Sequence, residues 1–136
     1  MTNETVSSKL ESIGRCLERI VQHTPSSAEE LASDYDVQDI VSINLQRAIQ
    51  LAVDAAGAVI ASHGFNSPST MADAFRTLEK HNLLDNDTVE RLVRAVGFRN
   101  VSVHEYQEID WKIVFSIITM HLDDFRTFVR LVSEHL

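Results

Sequence analysis

Cysteine is almost missing from this chain, with Cys16 alone among 136 residues. A lone thiol forms no intramolecular disulfide, and no Cys/His set has the spacing of a zinc site, so the fold must rest on its apolar core. A reducing, cytoplasmic compartment is the expectation. Glycine and proline are scarce too, with four and two residues. So few turn formers, and so little two-residue alternation, argue against strands and for helices. Long apolar runs are absent: none approaches the roughly 18 residues needed to span a bilayer. The stretch Met1-Thr2-Asn3-Glu4 lacks the basic and apolar regions of a signal peptide, so neither export nor membrane insertion is expected. Bases are outnumbered, with 12 Lys+Arg against 20 Asp+Glu for a net charge of −8. That balance opposes non-specific binding to polyanions. The imbalance is uneven, because residues 1–40 hold 8 acids and 3 bases while residues 86–113 hold 5 acids and 4 bases. Room is left for a local cationic site around Arg91, Arg94, Arg99 and Lys112.

What the chain does contain is helical periodicity. Val6, Leu10, Ile13, Leu17 and Ile20 define a first amphipathic helix, and Ser-Ser-Ala-Glu-Glu after Pro25 suggests a short second turn. Asp36 is the expected N-cap of a long helix, with Asp39 three residues later, followed by the seam Val37, Val41, Leu45, Ala48, Ala52, Ala55 and Val59. That helix is expected to close at Gly64. Met71, Phe75 and Leu78 mark a shorter helix ending before His81-Asn82. Asp85-Asn86-Asp87 offers caps for the next, whose expected stripe is Val89, Val93, Val96, Asn100 and Val103. Trp111, Phe115, Ile118, Leu122, Phe125, Val129, Val132 and Leu136 then keep one rhythm to the end. The expectation is an all-α protein, an antiparallel bundle of four or five helices forming one domain over residues 1–136.

The segment Gly97-Phe98-Arg99-Asn100-Val101-Ser102-Val103-His104-Glu105-Tyr106 sets Arg, His and Tyr in an R-x4-H-x-Y arrangement. The motif, with Asn100 directly after the arginine, resembles the HEPN ribonucleases, and in particular the HepT toxins that pair with MntA-type minimal nucleotidyltransferase antitoxins. The likeness extends along the chain through Asp36-Val37-Gln38-Asp39, Asn44-Leu45-Gln46-Arg47 and Leu122-Asp123-Asp124-Phe125. It implies an endoribonuclease needing no metal or other cofactor. Its paired active site would lie at a homodimer interface. It also implies that Tyr106 accepts AMP from ATP, with the ATP and Mg²⁺ used by the antitoxin.

The residues suit those roles. An imidazole with an ordinary pKa near 6.5 exchanges protons at neutral pH, so His104 can serve as base toward a ribose 2′-hydroxyl or as acid toward a leaving 5′-oxygen. Arg99 offers a permanent, planar donor set for a phosphate and for the extra charge of its pentacoordinate transition state. Asn100 is a candidate to orient the pair. Blander readings exist for each: a helix-end or surface histidine, an Arg99 ion pair with Glu105 or Glu108, a packing tyrosine, an asparagine that sets helix register. On a continuous helix Tyr106 would share a face with Arg99, whereas His104 falls about 140° away. Ser102 lacks the elbow and Gly-rich segment of a serine hydrolase, and Cys16 lacks an activating neighbour. Of the remaining histidines, no two are arranged with a carboxylate as metal ligands. The alternative function is a non-catalytic HEPN bundle that binds and assists a nucleotidyltransferase. RNA specificity is not legible, since no base-stacking aromatic platform is evident.

Overall fold

A computed structural model describes residues 3–136. Its elements are α1 (Asn3–His23), α2 (Ala28–Ser33), α3 (Tyr35–Ser62), α4 (Met71–Lys80), α5 (Asn86–His104), a 3₁₀ turn (Tyr106–Glu108), α6 (Trp111–Met120) and α7 (Leu122–Ser133). The described residues are all-helical with no strand, as the periodicity indicated, but they form seven α-helices rather than four or five.

The long helix α3 organises the rest. Its small and aliphatic seam, Val41, Leu45, Ala48, Ala52, Ala55, Ala56 and Val59, is fully buried, and the alanines let neighbours approach closely. α1 packs along one side of it, while α4, α5 and α7 pack on others. Phe75 of α4 meets Phe128 of α7 edge-on, with ring centroids 5.7 Å apart. These buried rings and the aliphatic side chains of α1 join one hydrophobic cluster. Burial of each large apolar side chain contributes on the order of 1.5–3 kcal/mol.

Two boundaries and one helix face depart from expectation. Asp34, not Asp36, caps α3, its carboxylate accepting from the Val37 amide at 3.2 Å. The buried Gln38 side chain fixes that start by donating to the Leu31 carbonyl at 2.8 Å, which ties α3 to α2. The final seam is broken at His121, where the backbone leaves helical geometry and α7 begins anew. On α5 the buried face is Thr88, Val89, Leu92, Ala95, Val96, Phe98 and Ser102. Asn100 and Val103 are therefore exposed rather than part of an apolar seam.

Two helix ends follow expectation closely. Gly64 takes φ +72° after α3, and the Phe65 amide reaches back to the Ile60 carbonyl while the Gly64 amide reaches that of Ala61. α4 closes identically through Asn82 at φ 62°, with Leu83 bonded to Leu78 and Asn82 to Glu79. Both are Schellman closures, which satisfy carbonyls that a bare helix end leaves open.

Candidate active site

The end of α5 is built differently. The Glu105 amide still bonds to the Val101 carbonyl at 2.7 Å, but Glu105 itself turns to φ −143°, ψ 56° and the chain enters the 3₁₀ turn. No side chain caps this turn. α6 is then capped by Asp110, whose carboxylate accepts from the Lys112 amide at 3.0 Å. The helix therefore does not continue to Tyr106, and the face that a continuous helix would have given Arg99 and Tyr106 in common does not form.

Instead both residues are fastened to α3, at different heights. Arg99 is half-buried and donates from Nη2 to Gln50 Oε1 and from Nη1 to Asn100 Oδ1, each at 3.4 Å. Gln50 in turn donates to Asp54 Oδ1 at 3.0 Å, and Lys9 of α1 lies 3.7 Å from the other oxygen of that carboxylate. The guanidinium is thus the end of a polar chain that crosses three helices. It makes no ion pair with Glu105 or Glu108 among the described residues.

Tyr106 donates its hydroxyl to Asp39 Oδ1 at 2.9 Å, and its ring meets Trp111 edge-on at 5.9 Å. Burial pushes this phenol above its ordinary pKa. The hydrogen bond to Asp39 adds to that rise, and a hydroxyl contact from Ser42 opposes it. Asp39 and Gln50 are eleven residues apart on α3, about three turns or roughly 16 Å along the axis. Within one chain, the tyrosine hydroxyl and the arginine are therefore anchored at separate points of one helix face. His104 is the last residue of α5 and fully outward, its imidazole without a hydrogen-bond or ion-pair partner among the described residues.

Other expectations sort clearly. Ser102 is buried and donates its hydroxyl to the Arg99 carbonyl at 3.0 Å, a local bond that leaves no nucleophile. Cys16 is buried, and that burial raises its pKa against the lowering influence of Arg47 and Arg15. Arg91 is not a free cation: its Nε lies 2.7 Å from Asp124 Oδ1. It lines an apolar groove of about 460 Å³ between α5, α6 and α7, together with Phe98, Ile113, Ile117 and Phe125. None of Arg99, Asn100, His104 or Tyr106 lines that groove. Besides Arg99, further cations gather near Gln50 from earlier in the sequence, since Arg15, Arg19 and Arg47 line a shallow surface groove that includes it. Net charge over residues 1–40 hid Arg15 and Arg19, because helical spacing gathers what a running sum disperses. Asp39 and Gln50 were also missed as site residues, and only their shared face of α3 could have paired them.

An all-helical bundle that presents Arg, Asn and His on the last turns of one helix, with a tethered tyrosine just beyond, is a HEPN-type protein. The chain belongs to the ribonuclease HepT-like family, whose model matches residues 13–132. It is 32% identical over 131 residues to the mRNA nuclease HepT of Shewanella oneidensis, covering 96% of this chain and 98% of that one. It is 28% identical over 131 residues to the tRNA nuclease HepT of Aphanizomenon flos-aquae, covering 96% and 89%. Among solved structures it superimposes with a TM-score of 0.91 and 31% identity on a tri-AMPylated Shewanella oneidensis HEPN toxin in complex with MNT antitoxin, covering 98% and 99%. No helix among the described residues is long and apolar enough to cross a membrane.

Proposed function

We propose that the chain is the toxin of a toxin–antitoxin pair, an endoribonuclease that cleaves RNA without a metal ion through attack of the ribose 2′-hydroxyl. The observation that carries this is the half-buried Arg99, held by Gln50 and Asn100 beside the open helix end that leaves His104 outward. A fixed guanidinium can stabilise a pentacoordinate phosphate while a solvent-facing imidazole moves the proton. Membership of the HepT-like family supports the reading, as do the nuclease names of both relatives.

In-line cleavage profits from a separate acid and base, and one chain supplies one histidine in this motif. Arg99 and His104 also point about 140° apart on α5. A twofold homodimer that brings two such helix ends together would supply both functions in one cleft. Arg15, Arg19 and Arg47 beside Gln50 would add cations for flanking phosphates. The partner is an MntA-type nucleotidyltransferase that silences the toxin by transferring AMP from ATP, with Mg²⁺, to Tyr106. AMP groups on the Shewanella oneidensis toxin in its antitoxin complex support that assignment.

The test uses a single-stranded RNA and the same sequence with 2′-deoxy sugars, with and without EDTA. Cleavage of the RNA alone, unaffected by EDTA and ending in a 2′,3′-cyclic phosphate and a 5′-hydroxyl, is expected. Cutting of the deoxy strand would overturn the mechanism.

A further inference from the structure

We propose that Asp39 accepts the proton of the Tyr106 hydroxyl as that oxygen is adenylylated, so that the toxin supplies the catalytic base for its own silencing. The inference rests on the reading of Tyr106 as the AMP acceptor and adds a residue to it.

The chain has two tyrosines, and exposure alone favours the wrong one. Tyr35 is 78% exposed and Tyr106 only 38%. Their partners distinguish them. The Tyr106 hydroxyl lies 2.9 Å from a carboxylate 67 positions away in sequence, whereas that of Tyr35 has no hydrogen-bond partner among the described residues. Asp39 has no competing task, since Asp34 caps the helix and Tyr106 is the only side-chain partner of the Asp39 carboxylate among the described residues. The contact also fixes where the hydroxyl sits, because it ties the uncapped 3₁₀ turn to the rigid face of α3 while Trp111 supports the ring.

The chemistry requires such a base. Burial and the Asp39 bond hold the Tyr106 phenol protonated at neutral pH, and a neutral phenol is a weak nucleophile. The proton must leave while the new bond forms, and a carboxylate already at hydrogen-bond distance can take it. In the step, the Tyr106 oxygen attacks the α-phosphorus of a nucleoside triphosphate held by the nucleotidyltransferase. The O–P bond forms, and the bond from that phosphorus to the bridging oxygen breaks. Its electron pair leaves with pyrophosphate, while the phenolic proton passes to Asp39 and then to water.

The experiment follows incorporation of α-labelled ATP into the toxin with its cognate antitoxin and Mg²⁺, by intact mass and initial rate. Variants are Tyr106→Phe, Tyr35→Phe, Asp39→Asn and Asp39→Glu, each checked by thermal unfolding. Asp39 is exposed and its change to Asn isosteric, so the bundle is retained. The expected result is loss of labelling in Tyr106→Phe and normal labelling in Tyr35→Phe. For Asp39→Asn the maximal rate should fall on the order of 10²-fold or more. The ATP concentration giving half-maximal rate should be unchanged, and Asp39→Glu should recover part of the rate. A merely structural Asp39 would be replaced at little loss of rate by Asn, whose Oδ1 still accepts from the Tyr106 hydroxyl but cannot take its proton. Labelling of Asp39→Asn at the wild-type rate, with Tyr106→Phe unlabelled, would overturn the role of Asp39 and leave the acceptor standing. Labelling of Tyr106→Phe at the wild-type rate would overturn both.

Discussion

The C-terminal ends of α3 and α4 are sealed, and that of α5 is not. Gly64 and Asn82 take left-handed geometry so that the following amides return to the last helical carbonyls. Glu105 does not, and His104 is left facing outward with the chain turned aside into a 3₁₀ turn. The sealed ends hold no candidate chemistry, while the open one gathers Arg99, Asn100, His104 and Tyr106. Closure at a helix end serves stability, and forgoing it leaves polar groups available to a substrate.

The largest effect should come from breaking the open end. His104→Ala is expected to reduce RNA cleavage by about 10²–10⁴-fold. Its unfolding free energy should stay within about 0.5 kcal/mol of wild type, since the side chain is exposed and has no partner among the described residues. Cleavage assays beside urea unfolding check both, and a large loss of stability would erase the contrast. The converse substitution lies at a sealed end. Gly64→Ala finds no atom within 4 Å of the added methyl, so its cost is backbone strain at φ +72° alone. About 1–2 kcal/mol of stability should be lost, with cleavage per folded molecule unchanged. The smallest effect concerns the other end of α5. There Asp85 accepts from the Thr88 amide at 2.9 Å and its hydroxyl at 2.8 Å, chiefly the amide holding the carboxyl below its ordinary pKa. Asp85→Ala should cost about 1 kcal/mol at neutral pH. A depressed folded-state pKa stabilises fully above the unfolded value of about 4 and loses that benefit as pH falls through the folded one. Wild type and variant should therefore converge in stability on acidification, as unfolding curves at stepped pH would show.

Much of this was legible in the sequence, for identifiable reasons. The seam of α3 and its stop at Gly64 are local patterns, and R-x4-H-x-Y is contiguous. The division between α6 and α7 was not legible, because the apolar rhythm from Trp111 to Leu136 runs through His121 with no glycine or proline to mark it. The cap of α3 was expected at Asp36, two residues past Asp34, which takes the role. Gln38 decided it through a bond to α2, a tertiary fact that local spacing does not contain. The partners of Arg99 and Tyr106 were hidden more deeply, 49 and 67 positions away on α3. Nothing nearby in sequence announces either.

Trp111 is the chain's one tryptophan, and it stands edge-on to Tyr106 at 5.9 Å. Indole emission excited selectively in this protein therefore originates at a single place, beside the tyrosine proposed to accept AMP. A nucleotide attached there would alter the polarity and quenching around that fluorophore. The fold thus carries a built-in optical reporter, by which the proposed adenylylation can be followed in real time without a label.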